Sequence, residues 1–221
     1  MNFFYQVVSF KHKLIFLTPP KCSTFSLQQF LIDANIEVNK PLRPLSTPFY
    51  HATLSEIVYS YKIDLEELKQ YKVIQILRNP YDRFISSYFH QQDLIGKQID
   101  FNTFLKKVEQ FKYLLPYNIN EFYLNFYQDD GGVRFYYEQN WWNNLNIKVN
   151  INYLKLEDIS KNSTSLCKLL NLDYHIPFLC KNKNPIDKSQ FYKEFNNISQ
   201  YKSRIYTLFK KDFKLYNYEK F

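Results

Sequence analysis

The sequence predicts an α/β fold, a central mostly parallel sheet flanked by helices, on three observations. Two short apolar runs, residues 14–17 (LIFL) and 73–77 (VIQIL), each lead through a few loop residues into apolar positions at helical spacing. A third run, residues 147–156 (IKVNINYLKL), alternates apolar and polar residues as a strand does. Each of the first two runs delivers cations to its C-terminal end, where an open α/β sheet places its ligands.

Taken in order, residues 1–12 read as a lead-in with a short edge strand at 4–10. The first apolar run is closed by Pro19 and Pro20, after which Ser23, Thr24 and Ser26 open a helix marked by Phe25, Leu27, Phe30 and Leu31. Strand, tight loop and helix make an anion site, because the first N–H groups of a helix lack internal partners and its dipole is positive there. The dipole contributes only about 0.3–1 kcal/mol when exposed. Lys21 and the aimed N–H groups must therefore supply most of the grip, with the hydroxyls as further donors.

Residues 37–50, with Pro41, Pro44 and Pro48, read as a surface loop at the C-terminal edge of the sheet. Two short helices follow at 53–60 and 64–70, the second with Asp64 as N-cap and Glu67 three residues on, a capping-box pattern. The 73–77 strand runs into Arg78, and Pro80 starts a helix to about His90, proline being favoured in a first turn. Arg78 before that helix and Ser86 within it can reach one oxyanion together. Two anion sites at the ends of two strands suit a ligand with two separated phosphates.

Phe101, Phe104, Leu105, Val108 and Phe111 mark a packing helix over 101–111, with Asp100 near its start. Residues 115–146 sustain no period; Gly131-Gly132 mark a turn and Trp141-Trp142 follow. This stretch reads as an acceptor-facing insertion, or as a plain cap on the core. After the 147–156 strand, a short helix is expected at 166–172. Ile198, Tyr201, Ile205, Leu208 and Phe209 then lay one apolar face along a C-terminal helix.

PKCSTFS at residues 20–26, followed by LRNPYDRFISSY at 77–88, resembles the PAPS-dependent sulfotransferases, in particular the carbohydrate branch that includes the heparan-sulfate 2-O-sulfotransferases (sulfotransferase family 2). The resemblance implies a P-loop-like three-layer fold. It implies that the first loop holds the 5′-phosphosulfate of PAPS (3′-phosphoadenosine 5′-phosphosulfate) through Lys21, Cys22, Ser23, Thr24 and Ser26. Arg78 and Ser86, eight residues apart, would hold the 3′-phosphate, and PAP would be the product. Two departures stand in the first loop: Ser23 where Gly or Ala is usual, and Phe25 where a phosphate-binding Thr is usual. The IPFLCK segment at 176–181 resembles the family's Leu-Pro-His-x-Asn donor-covering loop, with Phe178 and Cys180 in place of the His and Asn. Lys181 and Lys183 are the phosphate contacts it would supply. Glu157-Asp158-Ile159 matches a family segment that ends a strand, and the closing Asp212-Phe213…Tyr216-Asn217-Tyr218 resembles the usual ending.

The implied reaction is in-line sulfuryl transfer to an acceptor hydroxyl, on a saccharide by this resemblance, with no metal. Lys21 is the candidate to offset charge on the leaving phosphate, the kind of electrostatic role that commonly dominates catalysis; its bland alternative is an exposed loop lysine. Arg78 has the planar fork suited to phosphate, its alternative being a salt bridge. His51 is the candidate general base: it resembles the family's histidine opposite the donor, and an unperturbed imidazole pKa near 6.5 suits proton removal at neutral pH. Its alternative is a helix-start histidine with no duty. Glu56, a turn and a half along, is the lesser base candidate. Arg83 is expected to face outward or to pair with a carboxylate.

Composition narrows the field. In 221 residues the formal charge is +8, which favours polyanionic partners, but the basic residues are spread rather than clustered. There are 20 Tyr and 21 Phe against 3 Gly, mostly at packing periods, so no stacking platform for nucleic acid is read from them. A Walker A loop needs Gly-x4-Gly-Lys-[Ser/Thr], and no glycine precedes Gly96. A phosphatase reading of Cys22 would need an arginine six residues on, where Gln28 stands. Three cysteines without paired spacing argue against a disulfide framework and a zinc site. With no run of about 18 apolar residues, the chain is expected to be a single soluble cytoplasmic domain over 1–221, with the Golgi lumen as the alternative for a chain that has lost an N-terminal anchor. The remaining alternatives are a catalytically degenerate sulfotransferase-like protein and a basic binding module for acidic glycan or nucleotide. The acceptor and the oligomeric state are not legible.

Overall fold

A computed structural model describes residues 8–39, 51–95, 99–114, 149–180 and 189–220. Among them, four strands form one sheet in the order β1 (Val8–Ser9), β2 (Leu14–Leu17), β3 (Lys72–Leu77), β4 (Ile151–Lys155). β1 is antiparallel to β2, while β2, β3 and β4 are parallel, with Phe16 opposite Ile74 and Leu77 opposite Lys155. This is the mixed α/β architecture with a mostly parallel, helix-flanked sheet that the sequence predicts. The described residues gather into two compact units, 8–78 with 149–180 and 79–114 with 189–220.

The first unit contains the whole sheet. Side chains alternate across a strand, so Leu14, Phe16, Ile74 and Ile76 share one face and Ile15, Leu17, Val73 and Leu77 the other. All eight are buried, as expected for a parallel sheet covered on both sides. The first face packs with Leu27, Phe30 and Leu31 of α1 (Thr24–Asp33), Ile159 of α6 (Leu156–Ile159) and Leu166 of α7 (Thr164–Leu169). Phe178, which resembles a donor-loop position in sequence, is part of this core, its ring 5.8 Å from that of Phe30.

Two short helices, α2 (Leu54–Tyr61) and α3 (Leu65–Leu68), lead into β3. The capping box expected at Asp64–Glu67 forms only half. Asp64 accepts the Glu67 N–H, but the Glu67 carboxylate is drawn to the Lys13 ammonium at 2.8 Å and to the Tyr71 hydroxyl. The complete box belongs to Thr53 and Glu56 at the start of α2. β4 begins at Ile151 and stops at Lys155 because Leu156 already opens the helical turn of α6. Of the expected edge strand at 4–10, residues 8–10 are described, and Val8–Ser9 form the strand.

The second unit is helical: α4 (Pro80–Ile95), α5 (Phe101–Leu114), α8 (Ser189–Asn197), α9 (Ser199–Leu208) and α10 (Lys210–Leu215). Its core is largely aromatic, Phe84 lying 5.3 Å from Phe104 and 6.1 Å from Phe209, and Tyr88 5.1 Å from Phe101. Among the described residues of this unit, Phe and Tyr pack ring against ring in edge-to-face and tilted pairs. The outward alternative for Arg83 is corrected here. Its side chain is buried, 3.8 Å from the buried Asp212 carboxylate and over the Phe209 ring. The C-terminal helix expected over 198–209 forms as α9, and at Phe209 it gives way to α10.

Candidate functional site

The loop between β2 and α1 carries backbone strain at two residues. Lys21 and Ser23 both have left-handed backbones, with φ of 67° and 66°. For residues with a Cβ this conformation costs about 1–2 kcal/mol each, and the loop is closed by the Cys22 N–H donating to the Pro19 carbonyl at 3.0 Å. Ser23 thus occupies a position at which glycine would carry no such cost. Strained turns of this kind line up successive N–H groups into a concavity for an anion.

Ser23 is the N-cap of the ten-residue α1 but makes no side-chain cap hydrogen bond. Its hydroxyl instead donates to Ser26 Oγ at 3.2 Å. Thr24, the first helical residue, is buried, and its Oγ1 has no hydrogen-bond partner. An unpaired buried hydroxyl costs about 1–3 kcal/mol. Cys22 is completely buried and belongs to the apolar core under the loop, and its N–H is engaged by Pro19. Phe25 is half exposed on the first turn.

Arg78, one residue beyond β3, reaches back to this loop. Its Nη1 donates to the Lys21 carbonyl oxygen at 2.9 Å. The parallel register explains the approach: Leu17 pairs with Gln75, so β3 runs two residues past β2 before releasing Arg78. The two cationic segments therefore meet at one edge of the sheet.

His51, 30 residues after Lys21 in sequence, joins them. Its Nδ1 lies 2.8 Å from the Thr18 carbonyl oxygen, and the ring is buried. A carbonyl only accepts, so Nδ1 carries the proton and the neutral ring has its lone pair at Nε2. Thr18 sits between β2 and the Lys21 loop, a positioning contact that sequence reading missed. Glu56, the lesser base candidate, is committed elsewhere: its Oε2 accepts from Thr53 N–H at 2.7 Å and from Thr53 Oγ1 at 2.8 Å.

In the second unit, Ser86 is half-buried within α4. The start of that helix is set by Asn79, whose Oδ1 accepts the Tyr81 N–H at 2.9 Å while its carbonyl accepts the Arg83 N–H at 2.8 Å. Asn at an N-cap followed by Pro was the signal that could have assigned Asn79 this role. Lys181, Lys183 and the 115–146 stretch lie outside the described residues. Among the described residues, no group of three or more His, Cys, Asp or Glu is placed to hold a metal ion, and no helix is long and apolar enough to cross a membrane.

A strained loop and an uncapped helix behind the end of a parallel strand define an α/β protein with a helix-start site chemically suited to an anion. The model described as the Sulfotransferase family matches residues 6–219, and the chain belongs to that family. No curated protein and no solved structure matches it. Membership makes the chain a transferase of sulfuryl groups.

Proposed function

We propose that the protein transfers a sulfuryl group from PAPS to a hydroxyl of a saccharide acceptor. The observation that carries this reading is the Arg78–Lys21 hydrogen bond, which joins two cationic segments in a chain of the sulfotransferase family. Thr24 Oγ1, a buried hydroxyl without a partner, is what a site for the donor's 5′-phosphosulfate would require. Lys21, Ser23, Thr24 and Ser26 hold that end. Arg78 holds the 3′-phosphate.

When bound, PAPS supplies a sulfuryl group activated by its link to a 5′-phosphate. His51 Nε2 accepts the acceptor's hydroxyl proton as the new O–S bond forms. The Lys21 ammonium offsets the negative charge gathered on the bridging oxygen as the old S–O bond breaks, and PAP departs with the electron pair. The Thr18 carbonyl fixes the imidazole tautomer throughout and favours the imidazolium that results.

The test is transfer of labelled sulfate from PAPS into a panel of glycans. His51→Ala is expected to lower transfer by about 10²–10⁴-fold with PAP affinity retained, and Lys21→Ala to lower both. Full turnover by His51→Ala would remove the base assignment. The second reading, a nucleotide-binding relative without turnover, is favoured by Phe25 at the helix start and by burial of Phe178 in the core. It predicts PAP binding with no labelled product from any glycan.

A further inference from the structure

We infer that Arg78 is also a positioning residue: through its bond to the Lys21 carbonyl it holds the Lys21 loop in its left-handed form before any ligand arrives. The inference rests on the donor-site reading above, which gives Arg78 only a phosphate to bind. The structure gives the same guanidinium a second partner, the Lys21 carbonyl oxygen at 2.9 Å.

That carbonyl belongs to one of the two strained residues of the loop. Lys21 at φ 67° and Ser23 at φ 66° flank Cys22, and each opposes the loop by a cost of order 1 kcal/mol. The Cys22 N–H bonds to Pro19 and the Leu27 N–H to Ser23, both at 3.0 Å, and the Cys22 side chain is locked in the core. A hydrogen bond from a charged donor is stronger than either neutral bond. Arg78 therefore supplies a charged restraint on the peptide plane of Lys21, and with it on the direction in which the lysine leaves the loop.

The two ends of the donor site are consequently coupled through one side chain. An arginine that only reads a 3′-phosphate would leave the empty loop unchanged when removed. One that also holds the loop would loosen it. Lysine, a charged donor of similar reach, keeps a hydrogen bond to a carbonyl, whereas methionine keeps the length and loses the donor.

The experiment is hydrogen exchange on the nucleotide-free protein. Arg78→Met is expected to speed exchange of the Cys22 and Leu27 amides by roughly tenfold or more, and Arg78→Lys to restore most of the protection. The Ile57 amide, bonded to Thr53 in α2, serves as the control and stays unchanged in both. Should Arg78→Met not fold alone, the Arg78→Met/Ser23→Gly pair carries the test, glycine removing one left-handed clash. It should then exchange faster at Cys22 and Leu27 than Ser23→Gly alone. Unchanged loop exchange on loss of Arg78, or equal acceleration at Ile57, overturns the inference. The donor-site reading stands or falls separately, on whether the wild-type protein prefers PAP.

Discussion

Single side chains decide whether this site can work, and Thr24 is the most revealing of them. A buried Oγ1 without a partner burdens the empty protein, and removing it should help stability while harming binding. Thr24→Val is expected to raise the unfolding free energy by about 1 kcal/mol and to weaken PAP binding, as measured by urea denaturation and calorimetry on the same samples. A variant that lost stability and kept its affinity would mean that the hydroxyl serves the fold. The Lys21 loop was legible because its signals are local: an apolar run, two prolines, a lysine, then hydroxyls before a helix. Its strain was not legible in the residues alone, since nothing in the string KCS shows that Lys21 and Ser23 adopt positive φ. His51 was singled out by resemblance, but its bond to Thr18 joins residues 33 apart in sequence, and no periodicity records such a pairing.

Among helices and strands, the legible part was again the short-range part. The β2–α1 and β3–α4 units stand where the apolar runs placed them, and Pro80 is the first residue of α4. What failed were choices between equivalent local partners. Glu67 fits a capping box by spacing, yet it answers Lys13, 54 residues away. Thr53 and Glu56 carry the same pattern and form it in full. Arg83 is the larger lesson, because its partner Asp212 lies on another helix at the end of the chain. A buried charge stripped of its partner is expensive, so Asp212→Ala is expected to lower stability by about 3–5 kcal/mol. Urea unfolding monitored by circular dichroism would measure this. A loss below about 1 kcal/mol, the range of exposed pairs, would show the pair to be incidental to the packing of α4 and α10.

For the chain taken whole, neither compact unit is a continuous stretch: the chain leaves the first after Arg78 and returns to it before β4. We propose that it unfolds as the single domain expected from the sequence, giving one transition by fluorescence and circular dichroism alike. Separate midpoints would argue for two independent domains. Alkaline pH provides a second probe. Burial, with a smaller contribution from Tyr206, pushes Tyr81 up to about 12, and burial alone raises Tyr61 further. Unfolded phenols ionise near pH 10, so above that pH the unfolded chain loses these protons before the folded one. Stability should be level below pH 10 and fall between about 10 and 12, with Tyr81→Phe flattening part of the decline. A stability flat across that window would contradict the burial of these phenols.

The account depends on the Lys21 loop and Arg78 grasping opposite ends of one bisphosphorylated adenosine. Thermal unfolding with adenosine 3′,5′-bisphosphate, AMP or ATP at equal concentration tests this most directly, since a ligand stabilises in proportion to the logarithm of its concentration over Kd. The bisphosphate should raise the Tm well beyond either of the others, and Arg78→Ala should erase that advantage. Equal responses to all three nucleotides in the wild-type protein would contradict it.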